Sequence, residues 1–213
     1  MTISFENVMP EPLSSLKHNS DSIWGNTFQL TQGQKVVLNA SSGKGKTTFT
    51  HTLAGIRNDY SGSLKFDEQS VREISPQKWA FYRRERISFV FQDLQLFPEL
   101  TVKENLLLKN GLTSTYAEED FKTFLELVGI PEKWEAPCKL LSMGQQQRVA
   151  IIRALAQPFE WMILDEPFSH LDKENTALCL DLINKRCDEL GAGFVLTTLG
   201  DYHDFSYDKE LKL

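Results

Sequence analysis

The sequence predicts an α/β fold built on a largely parallel sheet, and three observations carry that prediction. Short apolar runs suited to buried strands alternate with segments of helical period. One run, at 36–38, enters a glycine-bearing turn that opens directly into a helical segment. Another, Trp161-Met162-Ile163-Leu164, ends in the carboxylate pair Asp165 and Glu166. Open parallel sheets bind ligands beyond the carboxyl ends of their strands, so the acidic pair marks a functional edge.

Taken in order, Ile3, Phe5 and Val8, then Ile23, Phe28 and Leu30, predict short strands ahead of the glycine-bearing turn. Gly33 marks the turn feeding a strand over Lys35–Asn39. A helix is expected over 47–55, with Gly55 at its C-terminal cap. Leu64 and Phe66 alternate with polar residues, which reads 62–67 as a half-exposed strand. Residues 71–86, charged but carrying Trp79, Phe81 and Tyr82, read as helical. Ile87-Ser88-Phe89-Val90-Phe91 reads as a buried strand, Pro98 breaks the chain, and Thr101 caps a helix through Leu108.

Phe121, Phe124, Leu125 and Val128 recur at i, i+3, i+4 and i+7, so 118–128 is an amphipathic helix ended by Gly129 and Pro131. An aromatic recognition stripe would show the same spacing, and core packing is the preferred reading. A helix over 142–156 starts at Ser142 and stops before Pro158. The helix over 173–190 closes at Gly191, Phe194-Val195-Leu196 is a last core strand, and Leu211 and Leu213 close the sheet edge. The chain reads as one domain over 1–213, with about 81–139 as a mainly helical lobe inserted within it.

Composition narrows the classes. With 213 residues, 41% hydrophobic and 24% charged, the chain can bury a substantial core as a soluble globular protein. A net charge of −6 argues against a nucleic-acid partner held through phosphate contacts. Cys138, Cys179 and Cys187 show no C-x-x-C spacing, which predicts reduced thiols in a cytoplasmic protein rather than disulfides or a zinc site. The first twelve residues carry Glu6 and Glu11 and no long apolar stretch, so no signal peptide is expected there, and no apolar run is long enough to span a bilayer.

Chemistry concentrates first in Ala40-Ser41-Ser42-Gly43-Lys44-Gly45-Lys46-Thr47-Thr48. A strand, a glycine-rich turn and a helix start cradle phosphate: backbone N–H groups point inward and the helix dipole adds positive potential. Lys46 supplies a cation for the terminal phosphates, and the Thr47 hydroxyl suits Mg²⁺. This is a P-loop for a nucleoside triphosphate, with Ala40 standing at its usual first glycine. An alanine there must keep negative φ or accept strain. The acidic strand end is the matching Walker B candidate: Asp165 to hold Mg²⁺, Glu166 to polarise the attacking water.

Leu141-Ser142-Met143-Gly144-Gln145-Gln146-Gln147-Arg148 opens the helix that precedes this strand. Here the chain resembles the ATP-binding cassette (ABC) transporter ATPases, whose signature is L-S-G-G-Q-Q-Q-R; Met143 replaces its first glycine. Gln92 matches the family's Q-loop and Ser169-His170-Leu171-Asp172 its D-loop. The resemblance implies a P-loop NTPase core with a mainly parallel sheet, an antiparallel β subdomain and an inserted α-helical lobe. It implies ATP and Mg²⁺ as ligands, with Thr47, Gln92 and Asp165 around the metal and Glu166 and Gln92 as catalytic groups.

It also implies head-to-tail pairing with a second copy or a related cassette, in which Ser142, Gly144 and Gln145 complete the ATP site of the facing chain. A separate transmembrane permease would be the driven partner, with this chain peripheral at the inner face of the membrane. The text over 83–105 looks like the lipoprotein-release and macrolide-export branch. ABC proteins of translation or DNA repair generally carry two cassettes or long coiled-coil insertions, for which 213 residues leave no room.

The match departs from the family at two places. A switch histidine is expected after the last core strand, yet the text is Thr197-Thr198-Leu199-Gly200-Asp201, and Leu199 cannot hydrogen-bond a phosphate. This motivates a second reading: an ATP-dependent dimerisation module with little hydrolysis. His203 lies four residues on and is read as a surface histidine of a polar tail, while His18, His51 and His170 receive no role. The residue that stacks on adenine is not evident: Lys17-His18-Asn19 occupies roughly its region, and Trp24 lies too close to the strand that enters the loop.

Overall fold

Two sheets divide the strands. In the computed structural model, which describes residues 1–41 and 43–213, one sheet is antiparallel. It contains β1 (Ile3–Pro10), β2 (Thr27–Leu30), β4 (Tyr60–Phe66) and β5 (Gln69–Ser70), in the order β2-β1-β4-β5. The other contains β3 (Lys35–Asn39), β6 (Ile87–Val90), β7 (Trp161–Asp165), β8 (Gly193–Thr198) and β9 (Lys209–Lys212). These run parallel in the order β6-β7-β8-β3-β9.

The central strands β3, β7 and β8 are largely apolar on both faces because both faces are covered, whereas β9 at the edge buries only Leu211. Val36 and Leu38 of β3 join one core with Ile163 and Val195, whereas Val37 joins the other with Met162, Leu164 and Leu196. The first core lies against the antiparallel sheet, α1 (Lys46–Leu53) and α2 (Pro76–Glu85). There Phe5 stacks between Phe28 and Phe49, at 4.6 and 5.5 Å. The second core is covered by α3 (Val102–Asn110), α4 (Glu118–Leu127), α5 (Met143–Leu155) and α6 (Lys173–Leu190). Phe121, Leu125 and Val128 are fully buried in it, so the periodic stripe of α4 is packing. Burial also encloses the three free thiols and pushes those of Cys179 and Cys187 up to about 12.

Three segments differ from the sequence reading. Residues 71–86 form a short 3-10 turn, Val71–Glu73, and then α2, because Ser75 caps a new helix start with Pro76 behind it. β5 is a two-residue polar strand without the alternation that identifies its neighbours. The strand Ile87–Val90, inside the expected 81–139 lobe, pairs with β7 in the parallel sheet, and the helical excursion begins after it. Thr101 and Glu104 form a capping box at the start of α3. Buried Asn105 then fixes the preceding loop through both the N–H (2.9 Å) and the C=O (3.0 Å) of Phe97. No helix among the described residues is long and apolar enough to cross a membrane.

Candidate nucleotide-binding site

The turn after β3 is built by two left-handed glycines, Gly43 (φ 76°) and Gly45 (φ 106°). At Gly45 a Cβ would also meet the movable Leu13 Cδ1 at 2.7 Å, but it is the left-handed φ that calls for glycine. Ala40 is absent from the residues with positive φ, so the alanine carries no strain; its N–H donates to the Thr198 carbonyl at 3.2 Å, tying the loop to β8. Ser41, Gly43 and Lys44 are exposed, and Thr47 and Thr48 are half-buried in the first turn of α1. Ser42 lies outside the described residues.

Lys46 is the first residue of α1 and only 4% exposed. Its Nζ donates to the carbonyls of Ala40 (2.8 Å) and Ser41 (3.2 Å) and pairs with Glu166 Oε1 at 3.2 Å. The lysine of the loop and the carboxylate of the acidic strand end thus meet in one site. Asp165, at the end of β7, is 1% exposed and accepts Thr50 Oγ1 at 2.9 Å and Thr197 Oγ1 at 2.8 Å. The Thr197 hydroxyl in turn accepts the Glu166 N–H at 3.0 Å. Glu166 has φ 48°, a left-handed conformation that costs a non-glycine residue about 1–2 kcal/mol and here turns its carboxylate back toward Lys46.

Thr50 and Thr197 were not legible as site residues, because one hydroxyl inside a helix and one at a strand end carry no spacing signal. The hard oxygens of Asp165 and Thr47 fit Mg²⁺, which takes few protein ligands and completes its shell with phosphates and water. No cluster of three or more His, Cys, Asp or Glu able to hold a metal by itself occurs among the described residues. Gln92 follows β6, exposed, and makes no side-chain hydrogen bond among the described residues.

Ser142, Gly144 and Gln145, at the start of α5, share no hydrogen bond with Lys46, Asp165 or Glu166 among the described residues. Ser142 Oγ accepts the Gln145 N–H (3.3 Å) while the Ser142 N–H donates to Gln145 Oε1 (3.0 Å), a reciprocal cap. Gly144 is needed for close approach, since a Cβ there would lie 2.7 Å from the His170 carbonyl oxygen. Gln147 reinforces that contact by donating to Ser169 Oγ (2.8 Å) and accepting the His170 N–H (3.0 Å). Met143 is 47% exposed.

The two departures also take shape. Leu199 is 58% exposed, on the rim of a cavity of about 260 Å³ beyond β7 and β8. His203 corrects the surface-tail reading: its side chain is 13% exposed, it lines the same cavity, and its ring packs edge-on against Phe168 at 5.1 Å. Trp24 is 3% exposed and packs on Phe49, so it offers no face to a base. His18 Nε2 is bound to the Leu13 carbonyl at 2.8 Å.

A strand, a left-handed glycine turn, a lysine-led helix and a facing acidic strand end define a P-loop nucleoside-triphosphate-binding protein. A family model described as "ABC transporter" matches residues 25–169, more than half of the chain, and the chain belongs to this family. It is 35% identical over 177 residues to the "Lipoprotein-releasing system ATP-binding protein LolD" of Pseudoalteromonas translucida (strain TAC 125), covering 82% of this chain and 76% of that protein.

It is 32% identical over 179 residues, 82% of this chain, to 25% of the longer "Macrolide export ATP-binding/permease protein MacB" of Syntrophobacter fumaroxidans (strain DSM 10017 / MPOB). These relatives bear out the branch read from 83–105. Among solved structures, the "Dimeric structure of a post-hydrolysis state of the ATP-binding cassette MJ0796 bound to ADP and Pi" superposes with a TM-score of 0.78 at 25% identity, covering 93% of this chain and 88% of that chain. The chain is an ABC ATP-binding subunit of a transporter.

Proposed function

We propose that this subunit hydrolyses ATP, that two cassettes close head to tail around Mg-ATP, and that their closure drives a separate membrane permease from the inner face of the membrane. The observation that carries the proposal is the 3.2 Å pair of Lys46 with Glu166. Phosphate oxygens draw the ammonium away from the loop carbonyls of Ala40 and Ser41 and from Glu166. The carboxylate that loses its counter-ion is then free to orient water and accept its proton. Thr47 and Asp165, with Gln92, are the residues that would hold Mg²⁺, which would supply charge neutralisation at the phosphates. Thr50 and Thr197 keep Asp165 oriented for that contact.

Support for pairing comes from the start of α5. Exposed Ser142 and the first N–H groups beside Gly144 and Gln145 form an anion-attracting helix terminus without any hydrogen bond to this chain's own loop among the described residues. The relative solved with ADP and Pi is itself dimeric. Support for a permease partner comes from a groove of about 630 Å³ beside Gln92, where Phe91 and Leu94 meet the exposed Ile56, Phe97, Leu108 and Leu112. An apolar rim of that kind suits a protein segment.

Leu199 favours the second reading, a nucleotide-gated dimerisation module with little turnover, and the intact Glu166 disfavours it. Phosphate release by the unmodified chain, assembled with its permease, decides between them against Glu166→Gln. Hydrolysis predicts a loss of about 10²–10⁴-fold in the variant; equal rates select the module.

A further inference from the structure

We infer that His203 supplies the imidazole of the hydrolytic cavity and contacts the terminal phosphate there, a role the side chain at 199 cannot fill; the inference rests on the hydrolytic reading above. The cavity beyond β7 and β8 is lined by Glu166, Ser169, Thr197, Leu199, Asp201 and His203, among others. Its charged groups are otherwise carboxylates, and His203 is the only lining side chain among the described residues able to carry positive charge. A phosphate placed beside Glu166 would meet Lys46 on the loop side, but on the far side only Asp201 and, at Leu199, a side chain with no polar atom. His203 is the group there that can answer it.

The chain fixes that imidazole in place. His203 (φ 54°) and Asp204 (φ 53°) are consecutive left-handed residues, an uncommon state for side chains other than glycine. Three hydrogen bonds hold them: His203 N–H to Asp201 Oδ1 at 2.8 Å, Thr198 Oγ1 to the Asp201 carbonyl at 2.8 Å, and Phe205 N–H to the Tyr202 carbonyl at 3.1 Å. The turn therefore hangs from the end of β8 itself. Phe168, two residues past Glu166, braces the ring edge-on with planes at 89°. Nδ1 lies 3.5 Å from Asp201 Oδ2, and Nε2 makes no hydrogen bond among the described residues. Burial lowers the ring's pKa and Asp201 opposes that shift. A phosphate oxygen at Nε2 would complete a carboxylate–imidazolium–phosphate line.

Backbone strain gathered at a cavity beside the proposed water-activating carboxylate points to function rather than to accident of packing. Its test is steady-state hydrolysis by the full chain, comparing the unmodified protein with His203→Phe and Glu166→Gln. His203→Phe keeps an aromatic ring against Phe168 and removes both nitrogens. The expected result is a kcat lowered about 10²-fold, as for loss of one preorganised donor, with KM for ATP and thermal midpoint unchanged. A rate equal to that of the unmodified chain overturns the inference. So does a slowed rate accompanied by lost ATP affinity or a lowered midpoint, which assigns the ring to packing. An unmodified chain no faster than Glu166→Gln overturns the hydrolytic reading, and this inference with it.

Discussion

Thr197 does more at this site than its position suggests. One hydroxyl donates to Asp165 and accepts from the Glu166 N–H, so it sets both carboxylates at once. Thr197→Val keeps the shape and removes both bonds. We expect a destabilisation of about 1–3 kcal/mol, read by denaturant titration, because a partly buried N–H and a buried carboxylate each lose a partner. Turnover should fall about 10²-fold through misplacement of the acidic pair. The sequence exposed Lys46 through the glycine-bearing turn between a strand and a helix, and Asp165 and Glu166 through their place after an apolar strand downstream of that turn. It did not expose Thr50 or Thr197, whose roles depend on which strands become neighbours. Ala40 resolved simply: its φ is not positive, so the missing glycine costs nothing. The place of His203 is not legible in the sequence, because a left-handed turn, invisible in composition, folds the ring inward.

At the scale of elements, the helix starts were the most legible features. Thr101 caps α3, Ser142 caps α5 and Asp172 caps α6, each through its own side chain. The central strands of the parallel sheet were equally plain, since burial on both faces leaves apolar text, while the edge strand β9 offers only Leu211. The 71–86 segment was less so, because its mixed, charged composition does not mark that the helix begins only at Pro76, behind the Ser75 cap. The contact between α5 and the turn after β7 was also beyond reach, although Gly144 marks it. Gly144→Ala drives a Cβ to 2.7 Å from the His170 carbonyl. The expected cost is about 1–3 kcal/mol, which lowers the thermal midpoint by about 2–10 °C for a chain of this size. Calorimetry would check it, and an unchanged midpoint would mean that the turn yields freely.

For the whole molecule, the parallel sheet carries the phosphate loop and the acidic pair on strands separated only by β8, while the start of α5 offers a second anion-attracting terminus elsewhere. Pairing therefore has a concrete signature. With Glu166→Gln retaining bound Mg-ATP, sedimentation should show dimers with nucleotide and monomers without. Adding Ser142→Glu, whose carboxylate repels phosphate at that terminus, should keep the chain monomeric. Dimers that persist with Ser142→Glu would place the interface elsewhere. The contact of Gly144 and Gln147 with Ser169 and His170 then acquires a wider meaning. Within a closed pair, α5 would belong to one ATP site and the turn after Glu166 to the other, and here they touch inside a single chain. The two sites would be thermodynamically linked, each returning to the other whatever change in affinity it receives.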